Sequence, residues 1–431
     1  MSVSARSLSG ALGAVLGVEG VRDDAATLAA AAVDETAPRW VAVPATLEQL
    51  SQVLALAREE RLAVTPRGSG SSLELGCPPP RVDLVVDLRR LDAVVEHNPD
   101  DLTTTVQAGV TAGALAGRLA PHRQALPLDP PGWGGRTLGG MAATQASGPL
   151  RVRYGTMRDL LLGVRFVQAD GVVTWGGAKV VKSVTGYDVP KLMVGALGTL
   201  GVLVELTLRL HPVPDFEGTW LASFRSTAEA QECVARLLES TVQPSRLEML
   251  DDRALTACSL PVAGAALAIS IGTVEPAVRA QEALLSDIVQ RTRGRFETMG
   301  TSFWRAYDRA QSAPGGVSLR IGTVPSRLAA TFAETRAALD GAAVAGCAAL
   351  GALRARVDAD AAALASALPR LRAFVADVDG GVVIERGRRA MREAVDPWGP
   401  VPAPSLAVMR AIKAEFDPTG VLNAGRFVGG L

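Results

Sequence analysis

The stretch TPRGSGSSLELG, residues 65–76, places Gly68, Gly70 and three serines directly behind Arg67, between runs of β-forming residues. A segment with so little side chain contributes mainly its backbone. Glycine reaches positive φ at little cost, and successive amides in such a turn point into one concavity that attracts an anion. Serine hydroxyls add uncharged donors, and Arg67 at the mouth suits a phosphate. A tight strand-to-strand turn has the same composition, so the loop alone does not decide its own use. The chain holds neither GxGxxG nor GxxxxGK[ST], so neither a Rossmann dinucleotide site nor a Walker-type triphosphate site is indicated.

A second stretch, PLDPPGWGGRTLGGMAATQASG at 127–148, runs without periodicity. Such a length inside a compact domain tends to be functional. Gly139, Gly140, Ala142 and Ala143 present almost no side chain, which lets a flat ring approach the backbone. One cradle for a diphosphate and one shelf for a ring system suggest an extended dinucleotide.

The flanking patterns place both segments. Thr46 is an N-cap candidate for a helix carrying Leu50, Val53, Leu54 and Ala57 at helical spacing, followed by a short strand over residues 62–65. VDLVVDL and LTTTVQAG read as strands, VTAGALAGRLA as a helix, and LLLGVRFVQADGVVTWGG as a hairpin turning at Asp170 and Gly171. Beyond Pro214, GTWLASF, ALAISIGT, GVSLRIGT and GGVVIERG read as strands. They alternate with helices over 227–238, 276–290 and 326–339, and a final helix over 405–416 precedes DPTGVLNAGRF. The expected class is α+β. The division is an N-terminal segment 1–36, a first domain 37–214, and a second domain 215–431 whose residues 405–431 return to the first.

Lys plus Arg and Asp plus Glu both number 44, so the formal net charge is zero. Nucleic acid is not an expected partner, because counterion release requires a basic surface. Cys77, Cys233, Cys258 and Cys347 stand far apart, a spacing that suits neither zinc nor an iron–sulfur cluster and fits a reducing compartment. The apolar patch at residues 8–18 follows a lone Arg6 and is broken by glycines, against a signal peptide. No apolar run reaches the roughly 20 residues of a membrane span.

PRGSGSS, TLGGMAATQASG, RYGTMRDLLLGVRFVQADG, KSVTGYDVPKLMVGALGTLGV and FDPTGVLNAGR, in that order, resemble the vanillyl-alcohol oxidase or PCMH-type FAD-binding superfamily. Within it, the chain resembles the FAD-binding E subunit of bacterial glycolate oxidase. The resemblance covers residues 37–214 and the last twenty strongly, and the region between in outline. It implies a two-subdomain PCMH-type FAD-binding domain followed by an α+β FAD-linked oxidase C-terminal domain. It also implies FAD, with Arg67, Gly68, Ser69, Gly70, Ser71 and Ser72 on the pyrophosphate. Pro131, Thr137, Leu138, Gly139 and Gly140 would line the ribityl chain and ring, with Ser147, Tyr154 and Gly155 nearby. Gly201 and Val202 would sit against the adenosine half, and Asn423 and Arg426 would fold back towards the flavin. Neither His nor Cys occurs at 67–72 or 137–148, so attachment is expected to be non-covalent.

The implied chemistry is oxidation of a 2-hydroxy acid such as glycolate, which needs a proton acceptor and a cation for the carboxylate. Hydroxyacid dehydrogenases of this superfamily place histidines and an acidic residue in the second domain as metal ligands and base. Here the only histidines are His97, His122 and His211, so no metal is expected and the base is open among Tyr187, Glu385, Lys182 or a similar group. His97 and His122 read as solvated residues of polar turns. Three arrangements fit. The chain is the FAD subunit of a complex with a catalytic flavoprotein and an iron–sulfur subunit, cytoplasmic and peripheral to the membrane through those partners. Alternatively it is a self-sufficient FAD-dependent oxidase or dehydrogenase, or a flavin-binding subunit without turnover.

Overall fold

A computed structural model describes residues 5–178, 186–260 and 263–431. Three larger sheets organise the described residues, beside a two-stranded pairing of Gln124–Ala125 with His211–Pro212. The first runs Val21–Arg22, Trp40–Ala42, Leu84–Asp87, Val64–Arg67, its last three strands parallel. Parallel pairing requires a crossover, which the helix Leu47–Glu59 supplies. Thr46 Oγ1 accepts from the Gln49 amide at 3.2 Å and caps that helix. Its apolar stripe, Leu50, Val53, Leu54 and Ala57, is fully buried. Leu8, Leu12 and Leu16 from the N-terminal helix join the same core, so this part of the N-terminal segment is integral to the first domain.

The second sheet is antiparallel: Val94–Asn98, Thr103–Gln107, Val202–Arg209, Leu161–Val167, Val173–Gly177. The last two strands form the hairpin turning at Asp170 and Gly171, where Gly171 has φ 86°. His97 lies in its edge strand rather than in a turn. Its Nε2 meets Gln124 Oε1 at 2.8 Å, and its ring lies edge-on to that of His122.

Eight antiparallel strands form the third sheet, in the order Arg295–Met299, Phe216–Phe224, Ala265–Thr273, Arg246–Asp251, Ala343–Cys347, Ala352–Val357, Val317–Gly322, Gly381–Arg386. Helices Thr227–Leu238, Glu275–Arg291, Leu328–Ala338 and Ala361–Ala376 contribute to the main core of this domain. The helix Ser302–Ser312, with Phe303 and Tyr307, belongs to a separate apolar cluster.

The terminal helix Ala403–Phe416 returns the chain to the first domain. Leu422 bridges to Val64, and the Asn423 amide donates to Val64 O at 2.9 Å. Lys413 Nζ secures this return by donating to Asp417 Oδ2 at 2.5 Å, Thr199 O at 2.8 Å and Leu422 O at 3.0 Å.

Candidate active site

Among the described residues, no acceptor is paired with the backbone amides of residues 68–73. They border a cleft of about 80 Å³ lined by Arg67 to Leu73, Thr137, Gly140, Thr144, Gly198, Asn423 and Arg426, among others. Gly70 has φ 78°, the left-handed conformation that turns the loop. Thr137 is the N-cap residue of the helix Leu138–Thr144, yet its hydroxyl caps nothing. Its Oγ1 is buried without a partner, and a Cβ on Gly68 would overlap it. Unpaired amides, an orphaned hydroxyl and a glycine wall together make an anion cradle.

Two residues from the chain terminus hold this cradle in shape. Arg426, 2% exposed, donates to the carbonyls of Leu73 and, at 3.0 Å, Leu75. Asn423, at φ 45°, donates Nδ2 to Leu197 O at 2.7 Å and so ties the 197–198 turn to the loop. Arg392 and Asp34, both essentially inaccessible, pair behind it, and Arg392 also donates to Gly76 O at 2.8 Å. The Arg67 guanidinium turns back, donating to Ala30 O at 2.9 Å and lying beside Gly70.

The remaining residues implicated by sequence divide into three groups. Pro131 and Ser147 line the larger cavity described below. Leu138 and Val202 are fully buried in apolar cores; Gly139 allows close contact with Ala108, and Gly201 with Phe166, each at 2.6 Å from a Cβ placed there. Their surroundings are packing contacts, so the side chains at 138 and 202 do not face the cleft. Tyr154 packs edge-on to His211 at 5.0 Å, and Gly155, at φ 79°, abuts Asp159; neither borders the cavities.

From the cradle, Ser71, Ser72 and Thr144 lead into a cavity of about 210 Å³ between the two domains. Pro131, Gln311 and Arg354 connect this in turn to one of about 370 Å³. Six arginines line the larger cavity, Arg151, Arg246, Arg305, Arg309, Arg320 and Arg354, against the carboxylates Asp129, Glu248 and Asp308. Arg246 is committed to Asp129 at 3.1 Å and Glu217 at 2.5 Å. Arg354 pairs with Glu385 at 2.6 Å, and Arg320 lies 3.8 Å from the same carboxylate. Arg151 has no carboxylate partner among the described residues. Its Nη1 reaches Ser147 Oγ at 3.3 Å, and its buried Nε is unpaired.

Two carboxylates here have opposite character. Burial alone would raise Glu385, but the Arg354 guanidinium overrides it and holds the acid down to about 2. A register shift near Ser318 brings Glu385 into a β-bulge that aims it at Arg354. Glu248, 3% exposed, has no cation in ion-pair contact among the described residues and accepts from Tyr307 Oη at 2.5 Å. Burial raises it to about 8, against the pull of that hydrogen bond and with the Asp129 charge adding to the rise.

Of the proton acceptors suggested by sequence, Tyr187 is 95% exposed and outside these cavities, and Lys182 lies outside the described residues. Glu385 borders the site as an ion-pair partner. Glu248 and Tyr307 were not singled out by sequence. Their available signal was a lone acid inside the apolar run LEML, at residues 247–250. Among the described residues, no group of three or more His, Cys, Asp and Glu gathers to suit a metal.

Comparison with known proteins decides what the paired domains are. Residues 38–177 match the family model "FAD binding domain", and residues 213–347 with 401–427 match "FAD linked oxidases, C-terminal domain". The chain is an FAD-linked oxidoreductase. Its PCMH-type FAD-binding domain and FAD-linked oxidase C-terminal domain make up the α+β fold, and FAD is its cofactor. It is 29% identical to the probable mitochondrial D-lactate dehydrogenase of Danio rerio, over 90% of this chain and 84% of that one. It is 31% identical to the glycolate oxidase subunit GlcD of Bacillus subtilis, over 51% of this chain but only 47% of that protein. A solved p-cresol methylhydroxylase with substrate bound shares the fold, with a TM-score of 0.79 at 16% identity, covering 98% of this chain and 96% of that one. Among the described residues, no helix is long and apolar enough to cross a membrane.

Proposed function

We propose that this oxidoreductase converts a 2-hydroxy acid of the glycolate or D-lactate type to the 2-oxo acid. The carrying observation is the continuity between an anion cradle and an arginine-lined cavity closed by both domains. The amides of residues 68–72, with Thr137 and Gly140, fit a diphosphate, while Pro131 and Ser147 border the space for the ring. FAD, when bound, supplies the acceptor for the two electrons and the C2 hydrogen that leave the hydroxy acid. Arg151, Arg320 and Arg354 provide the cationic wall for a substrate carboxylate, a geometry for which guanidinium is well suited. Apolar surface from Pro131, Trp133 and Trp304 limits water in the same space.

The similarity to a glycolate oxidase subunit supports a finer reading, in which the chain is the E-type FAD subunit of a complex. It would work with a catalytic flavoprotein and an iron–sulfur subunit at the inner face of the membrane. Absence of His and Cys from the cradle lining supports non-covalent FAD. The near end-to-end similarity to a D-lactate dehydrogenase favours a second reading, a self-sufficient dehydrogenase. Anaerobic addition of glycolate or D-lactate to the purified flavoprotein, alone and with partner subunits, tests both. Bleaching only with partners supports the complex, and unaided bleaching supports the second reading. A flavin left oxidised by every 2-hydroxy acid in both settings overturns the proposal. Yellow supernatant after acid precipitation establishes non-covalent attachment.

A further inference from the structure

Oxidation of a hydroxyl requires somewhere for its proton to go, and the cavity offers four nearby carboxylates. Three are engaged. Asp129 accepts from Arg246 at 3.1 Å and from the Leu150 amide at 2.9 Å. Asp308 accepts from the Gly132 amide at 2.7 Å, fastening the 130–132 turn to the Ser302–Ser312 helix. Glu385 is held by Arg354. Glu248 is the exception, because its one described partner is Tyr307, itself 6% exposed and lining the same cavity. A buried carboxylate without a cation is costly to maintain and marks a functional candidate when it borders a cleft.

Building on the hydroxy-acid reading, we propose that Tyr307 and Glu248 form the proton relay of this site. The substrate O–H bond breaks towards Tyr307 Oη as Tyr307 passes its own proton to Glu248 Oε2. The C2–H bonding pair leaves to the FAD oxidant, and the C–O bond becomes the carbonyl. Glu248 later releases its proton through the cavity.

The groups facing Glu248 are consistent with this role. Asp129 raises its basicity, Arg354 and Arg151 temper it, and Tyr307 supplies the hydrogen bond. Cys347, opposite Glu248 in the sheet register, is pushed by burial to about 12 and does not compete as a base near neutrality. Tyr307 is itself raised, first by burial and then by the Glu248 charge, so it transmits a proton without standing ionised.

The test uses FAD-loaded wild type, Tyr307→Phe and Glu248→Gln. Flavin content is expected to stay within about threefold in both variants, as is the affinity of Glu248→Gln for a 2-oxo acid near pH 7, read as pyruvate perturbation of the flavin spectrum. Tyr307→Phe, which lacks the donor to the oxo group, should bind pyruvate more weakly. Anaerobic reduction by D-lactate or glycolate is expected to fall by ~10²–10⁴-fold, the usual worth of positioned proton transfer. The wild-type rate should rise through about pH 8, and Glu248→Gln should lose that rise. A readout independent of turnover is pyruvate binding from pH 7 to 9. Tyr307 donates to the oxo group only while protonated Glu248 leaves its hydroxyl free. Wild-type binding should therefore weaken with rising pH, and the Glu248→Gln profile should be flat. Variants that reduce at the wild-type rate, or a binding profile shared by wild type and Glu248→Gln, overturn the relay. A wild type that neither binds pyruvate nor is bleached by any hydroxy acid, with its partners present, instead overturns the hydroxy-acid reading beneath it.

Discussion

Replacing Gly68 by Ala probes the cradle at the point where its geometry is tightest. The new Cβ would overlap Thr137 Oγ1 and sit 3.1 Å from Thr137 Cβ and 3.3 Å from its Cγ2. Unstrained carbon contacts fall at roughly 3.5–4.0 Å. Thr137 is 1% exposed, so it must turn within a packed wall, removing its hydroxyl from the cleft and filling the floor beneath the loop amides. Hydrogen bonds to a charged group are worth about 1.5–3 kcal/mol. Loss of one such contact predicts an FAD dissociation constant roughly 10- to 100-fold higher. Thr137→Ala alone removes the same donor without the overlap and should cost no more than about 1.5–3 kcal/mol, so any further loss in Gly68→Ala reports the filled floor.

The discriminating protein is Gly68→Ala/Thr137→Ala. Removing Oγ1 relieves the overlap, so the double variant should bind FAD about as well as Thr137→Ala alone. The cycle is therefore non-additive, as expected for residues in contact. Fluorescence quenching of FAD titrated with apoprotein measures all four proteins, and thermal melts of the apo forms check folding. Wild-type affinity in Gly68→Ala, or additive losses in the double variant, would refute the assignment of this cleft to the diphosphate.

Other consequences concern stability and reactivity. Glu385 has a folded-state pKa of about 2 against an ordinary 4.5, so its contribution is present above pH 4.5 and lost as pH falls towards 2. Glu385→Gln should cost up to about 3 kcal/mol at pH 7 and flatten the acid limb of a urea-midpoint curve. Lys413→Met strands the buried Asp417 carboxylate and should cost about 3–5 kcal/mol in guanidinium unfolding. Lys413→Met/Asp417→Asn should recover part of that loss. Burial pushes Cys233 and Cys258 to about 11 and Cys347 to about 12, while Cys77 is only partly buried. A thiol reagent followed by peptide mass spectrometry should therefore modify Cys77 first in the native protein, with the other three protected until unfolding.

Elements whose local pattern and burial agree were legible from sequence. The helix Leu47–Glu59 buries the four apolar residues that announce it behind a working Thr46 cap. The hairpin turn needs Gly171 for its positive φ, and the backbone of residues 68–73 stands unpaired as the composition of the loop suggests. Four strands of the second domain were not recognised: Arg246–Asp251, Arg295–Met299, Ala343–Cys347 and Ala352–Val357. Three of them carry residues that line the cavity, and in two of these a buried Glu248 or a half-buried Arg354 interrupts the apolar alternation by which a strand is read. The helix Ser302–Ser312, which carries Tyr307, was also missed.

The cradle and the proton relay differ in how sequence encodes them. Much of the cradle lies within short contiguous stretches, because backbone amides act together only when consecutive. The relay joins Glu248 to a tyrosine 59 residues away, and the cationic wall sets Arg320 across from Arg354 on neighbouring strands. Side-chain chemistry of that kind depends on sheet register, since a one-residue slip would turn Glu248 to the opposite face. A glycine-rich loop can therefore indicate the cofactor before the fold is known. The chemistry performed beside it becomes readable only once register has placed acid, phenol and guanidinium around one cavity.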